Sequence, residues 1–283
     1  MTEATGSHTL VGRGLPSESR PLVRYERLEN EVGAFASLTM TSDHNRNALS
    51  SRLVAELLGA FERAASDRVN AVVLQAEGKA FCSGADLAEA MRDGMEVAAV
   101  ELTRLIRVIL AHPLPVVARV HGPVRAGGLG IIAACDVVIA ADDVTYAFTE
   151  ARLGLTPAVI SVSVLPRMTP RCASLTFLAG GPFDGRFAVD SGLITLAVPR
   201  KELDEAVTDV LQGLLSAERQ GLEETKFLLN RDVIARLDSA REDVVHTSAR
   251  LFASSVARVH MRAFLDRVGR RVPDSVGKRG DVG

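Results

Sequence analysis

The chain has 283 residues, 47% of them hydrophobic and 24% charged, with a formal net charge of −2. That length and apolar share suffice for a buried core in one large domain, or a domain with an extension, and suit a soluble globular protein. There is no global basic excess for nucleic acid, few aromatic rings for base stacking (ten Phe, two Tyr, no Trp), and no apolar run near the roughly 18 residues of a membrane span. Residues 1–20 read as a disordered leader without a signal-peptide core, which makes the cytoplasm the expected compartment. Leu22 to Arg27 and Ala34 to Met40 then suggest a hairpin around Asn30 to Gly33. Ser50 or Ser51 caps a helix in which Leu53, Leu57, Leu58 and Phe61 recur at helical spacing. A strand, Ala71 to Ala76, leads into the turn Gly78-Lys79-Ala80-Phe81-Cys82-Ser83-Gly84-Ala85-Asp86-Leu87.

A helix through Val97, Val100, Leu105, Ile106 and Ile109 must stop before His112-Pro113-Leu114-Pro115, where two prolines oppose continuation. The strand Val116 to Val120 precedes a second glycine-rich turn, Arg125 to Gly130, which opens into an apolar helix over Ile131 to Ala134. Val137 to Ala140 is a further buried strand, so strand and helix alternate as in parallel sheets covered by helices. Beyond Pro170 the pattern is helical over 170–179, 200–218, 221–237 and 240–268. A bend at Pro182 to Gly185 and a short strand-like Leu193 to Val198 interrupt it. Residues 272–283 read as a frayed tail. Cys82, Cys135 and Cys172 form no Cys-x-x-Cys pair and read as small buried hydrophobes, and the six histidines show no ligand spacing, so no metal is expected.

The two glycine turns carry the chemistry. Gly84 can adopt dihedrals closed to other residues, so its turn can leave the Ala85 amide facing a cleft, and a second amide from the Arg125 to Gly130 turn can join it on one developing oxyanion. The stretch from Gly78 to Leu87 resembles the signature turn of the crotonase family, the enoyl-CoA hydratases and isomerases. Val120-His121-Gly122, Ala126-Gly127-Gly128 and Ala133-Ala134-Cys135-Asp136 resemble its second turn, and the resemblance runs from about Val23 to Phe264.

That resemblance implies an α/β fold, a crotonase-like spiral of ββα units over residues 21–199, with a C-terminal helical oligomerisation region over 200–271 that builds a homotrimer or a dimer of trimers. It implies an acyl-CoA thioester as substrate, coenzyme A entering as part of that substrate, and no permanently bound cofactor. By motif position Ala85 and Gly127 are the oxyanion donors. The backbone of Ser83, Gly84, Asp86 and Leu87 and the stretch carrying Arg46 and Ala48 are implied to hold the coenzyme, Arg46 by meeting phosphate oxygens.

Hydratases of this family carry two glutamates; here Gly130 stands at the first place and Glu150 at the second. One carboxylate cannot both activate water and deliver a proton, but it can shuttle a proton between the α- and γ-carbons as the family's isomerases do. Glu150 is therefore expected to be the catalytic acid-base of an isomerase-like enzyme, and a catalytically inactive acyl-CoA binder of the same fold is the alternative. Asp93, Glu96 and Glu101 read equally as a solvated helix face, Phe264 as helix-interface core or pocket wall, and His121 as a loop residue without catalytic role.

Overall fold

The computed structural model describes residues 20–267. The leader over 1–20, but for its last residue, and the tail over 272–283 lie outside them. Strands β1 (Val23–Glu29) and β2 (Ala34–Met40) form the hairpin, antiparallel from Val23 opposite Met40 to Glu29 opposite Ala34. The Asn30 carboxamide closes the turn by accepting the Val32 and Gly33 amides, both at 3.0 Å, as Asn commonly does in tight turns. Helix α1 (Ser51–Ser66) starts at Ser50, whose hydroxyl accepts the Leu53 amide at 3.2 Å, and buries Leu53, Leu57 and Phe61 completely.

Strand β3 (Ala71–Ala76), helices α2 (Leu87–Asp93) and α3 (Met95–Ala111), strands β4 (Val116–Val120) and β5 (Val124–Arg125), and helix α4 (Gly127–Ala134) follow. Then come β6 (Val137–Ala141), β7 (Tyr146–Ala147), α5 (Ala158–Val164), α6 (Pro170–Ala179), α7 (Gly185–Asp190), β8 (Leu196–Val198), α8 (Leu203–Leu215), α9 (Arg219–Phe252) and α10 (Ser255–Arg267). The main sheet has the order β1-β2-β3-β4-β6-β8, parallel from β2 onward. Its middle strands are apolar but for Gln75 and Arg119 because both faces are covered: Val72, Leu74, Val116, Val117 and Ala118 are inaccessible.

After each of β3, β4 and β6 the chain turns into a second, smaller layer. Cys82 bridges to Val124 there, and β5 pairs in parallel with β7. A helix then carries the chain back, α2 and α3 after the first turn and α4 after the second. This strand, second-layer strand, helix repeat is the expected ββα spiral, and it stacks the two glycine turns side by side.

The helix boundaries expected after residue 200 need correction. The stretches 221–237 and 240–268 are not the two helices: α9 runs unbroken from Arg219 to Phe252, and the break falls at Ala253-Ser254. Asp238 and Ser239 offer no glycine or proline to stop the helix; Leu237 is fully buried, and Asp238 holds Arg107 of α3 through two contacts of 2.6 and 3.0 Å. Ser254 makes the real boundary, its hydroxyl accepting the Ala257 amide at 3.2 Å. Helices α5 and α7 escape the sequence pattern altogether, and β8 is shorter than the run from Leu193. Among the described residues no helix is long and apolar enough to cross a membrane.

Helix α9 docks on the core through a buried polar knot. Lys226, 5% exposed, sets its Nζ 2.7 Å from Asp136 Oδ2 and donates to the Leu114 carbonyl at 2.9 Å. Asn230 donates to Asp136 Oδ1 at 3.1 Å and accepts from Arg167 Nη2 at 3.1 Å. Burial pulls the Lys226 ammonium below its usual range, and Asp136 opposes that pull. Breaking such a pair strands the remaining charge. Lys226→Met is therefore expected to cost about 3–5 kcal/mol of unfolding free energy in urea titrations; a loss below about 1 kcal/mol, the range of exposed pairs, would show that apolar contacts alone dock α9.

Candidate active site

The segment before α1 and the first glycine turn are stitched together. Asn47 is buried; its amide nitrogen donates to the Glu77 and Ala80 carbonyls at 2.9 Å each, and its oxygen accepts the Ser42 amide at 2.8 Å. The Ser83 amide donates to the Arg46 carbonyl at 3.1 Å. Leu49 pairs with the turn as a parallel bridge, donating to Gly84 O at 2.8 Å and accepting from the Asp86 amide at 3.4 Å. A parallel bridge engages residues 84 and 86 and skips 85, so the Ala85 N–H points away from Leu49 and finds no acceptor among the described residues. Gly84 makes the turn possible with φ of +91°.

The second turn repeats this logic with a different residue. Ala126 has φ 46° and ψ −118°, a sparsely populated region for a residue with a side chain that costs about 1–3 kcal/mol. The Ala126 amide, held by Ala147 O at 3.1 Å, and its carbonyl, held by the Leu129 amide at 2.9 Å, fix that conformation. The next amide, Gly127, opens α4 and has no acceptor among the described residues either. A side-chain carbon built on Gly127 would stand 3.8 Å from the Ala85 nitrogen, so the two donors lie on one small patch. In both turns the residue ahead of the donor has positive φ.

Both amides line a cavity of about 350 Å³. Its floor and walls come from α3, the segment 149–160, α9 and α10, with Leu102, Ile160, Phe252 and Phe264 among its apolar residues. Glu150 projects into it from a 3-10 turn, Glu150–Leu153. The residue is half-buried, but Oε2 is sealed from solvent and has no hydrogen-bond partner among the described residues. Burial pushes its carboxyl up to about 7, only partly offset by its own backbone amide.

The place of the other family glutamate is shut. A Cβ on Gly130 would lie 2.4 Å from Ile160 Cγ2, 2.7 Å from Ile160 Cβ and 3.2 Å from Ile106 Cδ1. The Gly130 carbonyl accepts the Ser163 hydroxyl at 3.0 Å, tying α4 to α5. That volume belongs to packing.

Of the residues singled out in the sequence, Glu150, Ala85, Gly127, Arg46, Ser83 and Leu87 line the cavity. Ala48 is buried, Gly84 lies against Ala126 and Arg125 behind the donors, and Asp86 caps α2 by accepting the Ala88 and Glu89 amides at 3.1 and 3.3 Å. Phe264 is a cavity wall. Asp93 and Glu96 are exposed; Glu101 borders the cavity, 3.7 Å from Arg104. His121 Nε2 sits 2.8 Å from the Gly78 carbonyl, a loop contact. Cys82 is buried with its thiol pushed up to about 12, which leaves it inert. Sequence reasoning missed Arg125, Ile160 and Ser248 as lining residues, since α5 and the course of α9 were not legible.

Comparison with known proteins gives the family. The profile of the enoyl-CoA hydratase/isomerase family matches residues 30–271. The mitochondrial enoyl-CoA hydratase domain-containing protein 3 of Rattus norvegicus is 30% identical over 211 residues, 71% of this chain and 68% of that one. A crystal structure of an enoyl-CoA hydratase from Mycobacterium avium is 41% identical with a TM-score of 0.81, covering 88% of this chain and 97% of that one. Another, from Mycobacterium smegmatis, is 30% identical with a TM-score of 0.71 over 88% and 97%. The match runs through both glycine turns, the Glu150 segment and the helices that roof the cavity, and the chain belongs to the enoyl-CoA hydratase/isomerase family, the crotonases.

Proposed function

We propose that the protein shifts a double bond along the acyl chain of an enoyl-CoA thioester. The Glu150 carboxylate takes a proton from the α-carbon of a 3-enoyl thioester, and the electron pair moves onto the thioester oxygen. The Ala85 and Gly127 amides hold that oxygen, each worth roughly 3 kcal/mol by analogy with measured oxyanion donors, and the positive end of α4 adds to the field. Protonated Glu150 then returns the proton to the γ-carbon, leaving the conjugated 2-enoyl thioester. Coenzyme A enters and leaves as part of the substrate.

The observation that carries this reading is Glu150, whose Oε2 is sealed from solvent without a partner among the described residues and which lines the same cavity as both free amides. A carboxyl pushed up to about 7 can both accept and give back a proton near neutrality. It is a poor feature for a merely binding protein, since an uncompensated buried acid destabilises the fold. Hydration is disfavoured because Ile160 and Ile106 occupy the space a water-activating carboxylate needs at residue 130. A homotrimer or dimer of trimers belongs to the same proposal, supported by Phe227, Leu228 and Leu229 standing exposed on α9; light scattering that gives a monomer would reject it.

Glu150→Gln is expected to lower turnover of a 3-enoyl-CoA by about 10³-fold or more, followed by conjugated-thioester absorbance, while acyl-CoA affinity stays within about tenfold. Retained turnover there, with loss in Glu101→Gln instead, would move the proton carrier to α3. The pH profile gives a second check. The working form is the carboxylate, so kcat/KM should rise with pH and reach half its plateau near 7, where burial has moved the group. Stability runs the other way: a proton bound more tightly in the fold than at the ordinary 4.5 stabilises at low pH and is lost as pH rises through about 7. A rate profile flat between about pH 6 and 8, a range set by that displaced pKa, excludes Glu150.

Gly130→Glu alone should gain no hydratase activity and lose about 1–3 kcal/mol of stability from overpacking. Paired with Ile160→Gly, which removes both the Cγ2 and the Cβ that stand in front of it, the same change should bring measurable hydration of a 2-enoyl-CoA. Hydration by the single variant would show that Ile160 does not block the place.

A further inference from the structure

Two arginines line the cavity without an ion-pair partner among the described residues, Arg46, exposed, and Arg125, half-buried. The Arg125 guanidinium is pinned: Nη1 donates to the Thr145 carbonyl at 2.5 Å and to the Val124 carbonyl at 2.9 Å, and Nη2 donates to the Thr145 hydroxyl at 2.8 Å. All its acceptors are neutral. Burial lowers the Arg125 pKa, and the Arg46 charge lowers it further, so the two cations feel one another. Like charges held together in a partly desolvated site destabilise it until an anion arrives.

Each arginine is also tied by its backbone to a turn that carries one oxyanion donor, Arg46 through a hydrogen bond and Arg125 as part of the turn. The Arg46 carbonyl accepts the Ser83 amide at 3.1 Å, two residues ahead of Ala85. Arg125 lies two residues ahead of Gly127; its own amide donates to Cys82 O at 2.9 Å, and its carbonyl oxygen would stand 3.2 Å from a Cβ on Gly84. An anion gripped by both side chains therefore loads both turns at once.

We propose that Arg46 and Arg125 form a clamp for the phosphate groups of the nucleotide end of the substrate, and that its occupancy fixes the separation of the Ala85 and Gly127 amides. The ligand chemistry rests on the acyl-CoA reading given above; the coupling is an additional claim. Planar guanidinium forks suit phosphate oxygens, and binding energy from this unreacting end is spent on geometry at the reacting carbonyl. Arg125 is thus a positioning residue as well as a phosphate ligand.

The test compares an enoyl-CoA with the same enoyl group on pantetheine, which lacks the nucleotide phosphates. Arg125→Gln should weaken calorimetric binding of coenzyme A at least about tenfold, the loss of one charge-assisted contact. It should lower kcat/KM for the enoyl-CoA at least about 30-fold and for the pantetheine thioester less than about threefold. Adenosine 3′,5′-bisphosphate added to the wild type should raise kcat for the pantetheine thioester, and should not do so in Arg125→Gln. Arg46→Gln, at an exposed position that leaves the core untouched, should show the same selective loss. Equal losses on both thioesters would make Arg125 a mere strut, and unchanged coenzyme A affinity in either variant would remove the clamp. Rescue of pantetheine turnover by the bisphosphate in Arg125→Gln would sever the coupling. Failure of the wild type to bind coenzyme A would instead overturn the acyl-CoA reading on which the clamp rests.

Discussion

The structure depends on how closely its two glycine turns approach one another. A Cβ on Gly84 would sit 2.9 Å from the Ala126 Cβ, and one on Gly128 would sit 2.7 Å from the Cys82 Cβ. Contacts that short leave room for main chain only, and they bring two unpaired N–H groups onto one patch of cavity wall. The rest of the fold supplies the force that holds them there. Parallel pairing of β3, β4 and β6 sets the turns in adjacent layers, and the Cys82 to Val124 bridge ties them in register. Two buried amides without acceptors would be costly in a folded core. They are tolerated because they face a cavity, where solvent or a ligand oxygen can meet them, and because the sheet behind them is rigid.

Beside the same cavity, at residue 130, the α4 backbone lies too near Ile160 to carry a side chain without displacing it. Of the two acids that line the cavity, Glu101 and Glu150, Glu150 is the one that desolvation moves toward neutrality. The two facts share a physical origin. Ile160 and Val159 come from α5, whose packing against α4 both fills the Gly130 hollow and continues the apolar wall facing Glu150.

Much of this was legible in the residues, and the exceptions have definite causes. The glycine turns showed because each follows a valine-bearing, mostly apolar run and precedes a helix. Glu150 showed only through family resemblance, since an isolated Glu beside Arg152 reads as surface. Ala126 gave no sign of its positive φ, because alanine rarely adopts it and nothing local demands it. Helix α5 was invisible for the opposite reason: Val159-Ile160-Ser161-Val162-Ser163-Val164 alternates like a strand. Tertiary packing overrides that preference, and the Ser161 and Ser163 hydroxyls turn back to carbonyls at Ala158 and Gly130. The continuity of α9 through Asp238 is not legible in the sequence, because the partner of Asp238, Arg107, lies across the interface on α3.

The C-terminal helices explain why Glu150 can be both fixed and unpartnered. Its 3-10 turn is held from one side by Arg152 Nε donating to the Ala179 carbonyl at 3.1 Å, and from the other by α10, whose Val256 and Ala257 close on Gly154. Ala257 and Met261 are in turn buried against Ala90 and Phe252, so α10 folds back over the cavity of its own chain. A backbone pinned on both sides lets Oε2 keep its place with no partner among the described residues, the carboxyl being met only by its own backbone amide. A further hydrogen bond to the charged form would lower its pKa and fix its lone pairs on one partner. An oxygen left without a partner on a rigid backbone keeps the affinity of the carboxyl for its proton high.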